Sequence, residues 1–136
     1  VLHALASPTG TGGPGLGYGL IRAVEDIAVH IEMAARASDA SDGVETHASH
    51  ITTIARTVKE RAEKAAEVAR RLQVATSIRR ASPLVAQLRL LVYQIAEGGD
   101  TNSDGDLSLA GEAGLQQLEA HAYLVLEAEG STRIIR

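Results

Sequence analysis

Nine positions, Val44, His47, Ile51, Ile54, Val58, Ala62, Ala65, Ala69 and Leu72, follow one another at intervals of three or four residues. A strand turns successive side chains to opposite faces, so only an α-helix puts such a series on one stripe. A stripe this long cannot be buried by the helix that carries it and requires other apolar helices along its length. Phe, Trp and Cys are absent, Tyr occurs three times and alanine is abundant. Aliphatic side chains must therefore fill the core, and Ala-rich helices can approach one another closely. At 136 residues the chain is one domain by length and can bury a core without disulfides.

Three more segments carry the same period. Residues 16–37 place Leu20, Val24, Ile27, Ile31 and Ala34/Ala35 on one face. After a turn at Ser38–Ser41, Asp42 with Glu45 three residues on resembles a capping box, and the long helix runs from there to about Ser77 or Ile78. Its other face, Lys59 to Arg71, holds Glu60–Lys64 and Glu67–Arg71 at i,i+4 and reads as solvated. Ser82-Pro83 supplies an N-cap and a first-turn proline for a helix over 83–97 that turns Leu84, Leu88, Leu91, Val92 and Ile95 inward. Gly98-Gly99 ends it. A last helix over 112–129 carries Leu115, Leu118, Ala122, Val125 and Leu126. Short connections favour antiparallel neighbours, so the expected fold is all-α, an up-down-up-down four-helix bundle over 20–129. Residues 1–19 form a Gly/Pro-rich lead-in, and 130–136 form a tail in which Ile134 and Ile135 extend the last helix or dock on a partner.

Several functions are excluded or weakened. A net charge of −4, with no aromatics interleaved among Lys and Arg, offers nucleic acid neither field nor stacking platform. No apolar run approaches the roughly 18 residues of a membrane span. Gly10 to Gly15 fits G-x-G-x-x-G formally, but no strand precedes it and Pro14 interrupts it. No cysteine can act as nucleophile, no serine sits in an elbow or triad context, and no enzyme is expected. An Ala-x-Ala immediately before Ser7 reads as the end of a signal peptide, which points to export.

Asp100-Thr101-Asn102-Ser103-Asp104-Gly105-Asp106-Leu107 matches the front half of an EF-hand-type loop, D-x-[DN]-x-[DN]-G-x-[LIV]. A hard dication needs several oxygens converging, and a short loop supplies them by pointing alternate side chains inward. Asp100, Asn102 and Asp104 are the expected first, third and fifth ligands. Gly105 makes the sharp turn, Asp106 gives its carbonyl, and Leu107 packs inward. The twelfth position is Gly111 rather than a glutamate. Either the loop bulges so that Glu112 closes the site, or water completes the shell. Calcium is the expected ion.

Four histidines form the second constellation. At 1.5 Å per residue, His30 lies about 10 Å from the end of the first helix, and His47 and His50 about 7 and 12 Å from that same end. His121, about 15 Å from it, completes a set that an antiparallel bundle gathers in one half. Imidazoles from two or more helices can hold zinc, copper or iron. Two facing imidazoles can instead ligate haem, with Ala28, Ala34, Ala48 and Ala122 leaving room. The di-iron E-x-x-H spacing is missing, as is C-x-x-C-H for covalent haem. Ordinary packed histidines bonded to Glu32, Glu45 or Glu119 are the competing reading.

Across residues 16–129 the chain resembles a group of extracytoplasmic bacterial helical-bundle proteins without a settled biochemical role. The likeness rests on the D-x-N-x-D-G loop, on Gly111-Glu112-Ala113-Gly114-Leu115, on Glu119-Ala120-His121-Ala122, and on His47-Ala48-Ser49-His50, which matches H-A-x-H. It implies export and calcium rather than an activity. The combined expectation is a calcium-binding extracytoplasmic module that meets a protein partner or a second copy of itself. A histidine-bound transition metal or haem, for electron transfer, storage or sensing, is the alternative.

Overall fold

A computed structural model describes residues 1–5, 19–107 and 111–130, without the side chains of Leu2 and His3. Residues 6–18 of the expected lead-in over 1–19, and 131–136 of the expected tail over 130–136, lie outside the described residues. The described chain is all-helical, with four long helices after a short one. These are α1 (Leu2–Leu5), α2 (Leu20–Ala35), α3 (Asp42–Gln73), α4 (Ile78–Glu97) and α5 (Leu115–Ala128).

The apolar stripe builds α3, a rod of 32 residues that spans about 48 Å. Ser41 caps it, its Oγ accepting from the Val44 N–H at 3.3 Å. The cap is thus one residue earlier than expected, and Asp42 and Glu45 both sit in the first turn, where negative charge suits the helix dipole. Ile51, Ile54, Val58, Ala62 and Ala65 are buried and meet Val24, Ile95, Ala113, Leu118 and Leu5 in one core.

α3 is the hub, packed against α2, α4 and α5. α2 runs antiparallel along its first half, from the Glu25–Lys59 ion pair at 3.0 Å to the groove where Ala35 and Arg36 lie by Glu45 and Ala48. α4 runs antiparallel along its second half: Pro83 and Leu84 lie near Arg71 and Val74, and the Gln94 carbonyl reaches Arg61. α5 then starts beside Arg61 and ends at the other end of α3, where a Cβ placed on Gly43 would lie 2.7 Å from Ala128 Cβ.

α5 therefore continues in the direction of α4 instead of turning back on it, which corrects the expected up-down-up-down order. The cause is length: α3 is long enough for α4 and α5 to share it end to end, joined by the acidic loop. The end of α4 abuts the start of α5 so closely that a Cβ on Gly98 would lie 2.6 Å from the Glu112 carbonyl oxygen, and Gly98 has φ +94°. Only glycine tolerates both conditions.

Other helix limits differ from expectation: α2 begins at Leu20 after the Gly19 cap, not at residue 16, and α3 ends at Gln73, short of Ser77. α4 begins five residues early, at Ile78, because Ser77 takes the cap, its Oγ accepting from the Arg80 N–H at 3.4 Å. Pro83 falls inside the helix. It forfeits the one bond to the Arg79 carbonyl, tolerable this close to the exposed helix start. Substituting Ser77→Ala should cost about 1 kcal/mol, whereas Ser82→Ala should cost almost nothing. Urea unfolding of the two variants distinguishes the caps. α5 begins three residues late, at Leu115, because Glu112 is used in the loop; Gln117 Oε1 accepts from the Gly114 N–H at 2.7 Å and fixes the new start.

The single stripe on α3 is covered, but the flanking helices leave apolar side chains outside. On α4 only Ile95 is fully buried, while Leu88 and Leu91 pack partly against the core. Val92, expected inward, is 45% exposed, as is Val85, and Leu90 and Tyr93 are more exposed still. Ile27 and Leu126, also expected inward, border an apolar groove between α2 and α5. No helix among the described residues is long and apolar enough to cross a membrane.

Candidate metal centres

The α4–α5 connection is held from beneath by Arg61. This residue lies on α3 in a stretch expected to be solvated, yet it is 8% exposed. Its Nη1 donates to the carbonyls of Gln94 and Ala113, both at 2.7 Å. Its Nη2 donates to those of Gly111 at 2.7 Å and Glu112 at 3.3 Å. Burial lowers the guanidinium pKa, and the Glu112 carboxylate opposes that shift; an arginine nevertheless stays charged. Among the described residues, the ion pairs on this part of α3 are Lys59–Glu25 and Lys59–Glu63, not the expected Glu60–Lys64 and Glu67–Arg71. Arg61 had one legible signal: at i+3 from Val58 and i−4 from Ala65, a charge lies on the apolar stripe.

Above that clamp the acidic loop folds on itself. Asp100 Oδ1 accepts from the N–H groups of Ser103 at 2.6 Å and Asp104 at 3.2 Å, and its Oδ2 from that of Gly105 at 3.0 Å. Asn102 Oδ1 accepts from the Asp104 N–H at 2.9 Å, while its Nδ2 donates to Asp104 Oδ2 at 2.8 Å. Asp106 donates its N–H to Asp104 Oδ1 at 2.7 Å. Gly105 has φ +81°, the left-handed backbone expected of the sharp turn. Leu107 turns in against Gly98.

Glu112 closes the loop. It is 3% exposed. Its Oε1 accepts from Thr101 N at 2.9 Å, Thr101 Oγ1 at 2.6 Å and Asn102 N at 3.0 Å. Its Oε2 is buried and has no hydrogen-bond partner among the described residues. One carboxylate oxygen each from Asp100, Asp104 and Glu112 lie within 4.8 Å of one another. Calcium–oxygen distances of about 2.3–2.6 Å allow two ligands of one ion to lie up to about 5 Å apart, so a single ion can touch all three.

The histidines divide. His47 and His50, one turn apart on α3, meet His121 of α5, with ring centroids 4.7 to 6.2 Å apart. Nδ1 of His47 and Nδ1 of His121 are 3.1 Å apart. Burial holds His121 below the usual histidine pKa, and His50 and His47 push it the same way. These rings touch one another, which leaves no slot for a macrocycle between any two of them. His30 is not brought to this group. It is exposed, and its Nδ1 donates to the Asp26 carbonyl of its own helix at 2.6 Å.

No family model matches the chain, and no curated protein and no solved structure is significantly similar to it. The sites therefore stand on their geometry.

Proposed function

We propose that the chain is a calcium-binding helical module in which one ion, held in an EF-hand-like loop, closes the joint between α4 and α5. The observation that carries this reading is Glu112 Oε2. A buried carboxylate oxygen without a donor is costly, and this one belongs to a group that two further carboxylates approach. A dication relieves all three at once. Asp100, Asp104 and Glu112 would supply charged ligands, with Asn102 and the Asp106 carbonyl completing the set named from the sequence.

The role that fits such a site is structural, or one of interaction within an extracytoplasmic assembly. Val85, Leu88, Leu90, Val92 and Tyr93 border an apolar groove on α4, and exposed apolar surface of this kind supports a protein partner or a second copy of the chain. Gel filtration over a range of concentrations should show self-association, or the partner should be recovered from the native assembly; a chain that remains a lone monomer in both has lost the interaction role.

The calcium reading is tested by isothermal titration of chelator-stripped protein. One calcium per chain is expected, with a Kd of about 10⁻⁴–10⁻³ M, the range of extracellular modules. Heat of binding that survives Asp100→Asn together with Asp104→Asn would sink it. A Kd below about 10⁻⁶ M would keep calcium but argue for a cytosolic sensor or buffer instead of an exported module.

A further inference from the structure

We propose that His47, His50 and His121 form a three-histidine site for a borderline first-row dication, with zinc as the ion its geometry fits. This site is separate from the acidic loop. The ligand chemistry differs first: three imidazole nitrogens and no carboxylate suit zinc or copper(II) and do not suit calcium.

The spacing agrees. Zinc–nitrogen bonds of about 2.0–2.1 Å at a tetrahedral angle put ligand nitrogens about 3.3 Å apart. The two Nδ1 atoms of His47 and His121 are 3.1 Å apart, and one ring nitrogen from each of the three histidines lies within 4.8 Å of the other two. His50 is the exposed ring of the three, so it is the one with room to turn its nitrogen toward the other two.

The backbone arrangement is also that of a site. His47 and His50 at i,i+3 share one face of α3, and His121 crosses from an antiparallel helix, so the ion would tie α5 to α3. Ala48 between them is buried and small, which lets the two helices come close. Zinc takes imidazole in its neutral form. Without a cation, the facing His47 and His121 nitrogens must share a proton. With three protein ligands the fourth position falls to water or to an added ligand, since His50 is exposed and the other two rings are half-buried. That open position distinguishes it from a closed four-ligand structural site.

The test titrates zinc into metal-stripped protein in calcium-free buffer, against a chelating indicator. It is repeated with cobalt, whose absorption reports low coordination number. One zinc per chain is expected, together with an intense cobalt band. His121→Ala and His50→Gln should each weaken zinc by more than about 100-fold, because losing a ligand costs more than the roughly 10- to 100-fold lost with a group that only supports one. His30→Ala should change nothing. Uptake that is absent, or that survives both variants, overturns the proposal. If circular dichroism shows His121→Ala unfolded, His50→Gln decides alone, because its ring is exposed. Because calcium is omitted, failure here leaves the loop reading untouched, and failure of the loop leaves this one standing.

Discussion

Arg61→Met should destabilise the protein by about 3–5 kcal/mol, the cost of breaking a buried charged network by removing one partner. The guanidinium donates to four carbonyls in two segments, and no other side chain joins α3 to both α4 and the 111–113 stretch by hydrogen bonds among the described residues. The loss is unequal over those four. The Gln94 carbonyl still accepts from the Gly98 N–H, and the Glu112 carbonyl from the Gly99 N–H. The carbonyl of buried Ala113 loses its donor, which costs about 1–3 kcal/mol, while that of exposed Gly111 can turn to water at a smaller cost. The Glu112 carboxylate also loses a nearby positive charge. Methionine restores much of the buried volume, so the effect reads the polar contacts and not a cavity. Arg61→Lys should fall between the two, because one ammonium cannot span four acceptors. For a chain of this size the melting temperature should drop by roughly 10–20 °C in the methionine variant. A wild-type melting curve would mean that the α4–α5 joint holds without the clamp.

The same residue shows what the sequence could and could not disclose. Helix periodicity was legible wherever one face dominates, so the α3 stripe and its partners Val24, Ile95 and Leu118 came out as expected. The periodicity is blind to direction. A connection between two helices reads the same whether the second turns back or carries on, and here the greater length of α3 decided it. Helix starts failed for local reasons: Ser77 took the cap instead of Ser82, and α5 starts late because Glu112 is drawn into the loop while Gln117 holds Gly114. The loop side chains were legible because alternate oxygens around a glycine form a local pattern. Glu112 as its closing residue was one of two alternatives left open. Arg61, 33 to 52 positions away in sequence from the carbonyls it holds, was hidden because charge runs on helices usually face water. Of the four histidines, three converge and His30 does not. Distance along a helix places a residue at a level of the bundle but leaves the neighbour it faces undetermined.

Glu112→Gln separates what the loop gains from calcium from what it gains from its own hydrogen bonds. The amide oxygen can still accept from Thr101 and Asn102, so in chelator the variant should match the parent within about 1 kcal/mol. Calcium should then stabilise only the parent. Binding to the folded state alone adds about 2.7 kcal/mol at a free concentration 100 times the Kd, or roughly 10 °C in melting temperature. The variant loses this increment because an amide NH₂ replaces the oxygen that would meet the ion, and a donor cannot ligate a cation. The comparison also assigns the role of Oε2. If that atom were merely tolerated in its buried place, Glu112→Gln would put an unpaired donor there in both conditions and the calcium response would persist. If it is a ligand, the two proteins melt together without calcium and part in its presence. Magnesium at the same concentration should produce a much smaller separation, since it keeps its waters and demands a tighter octahedral shell than a flexible acidic loop provides.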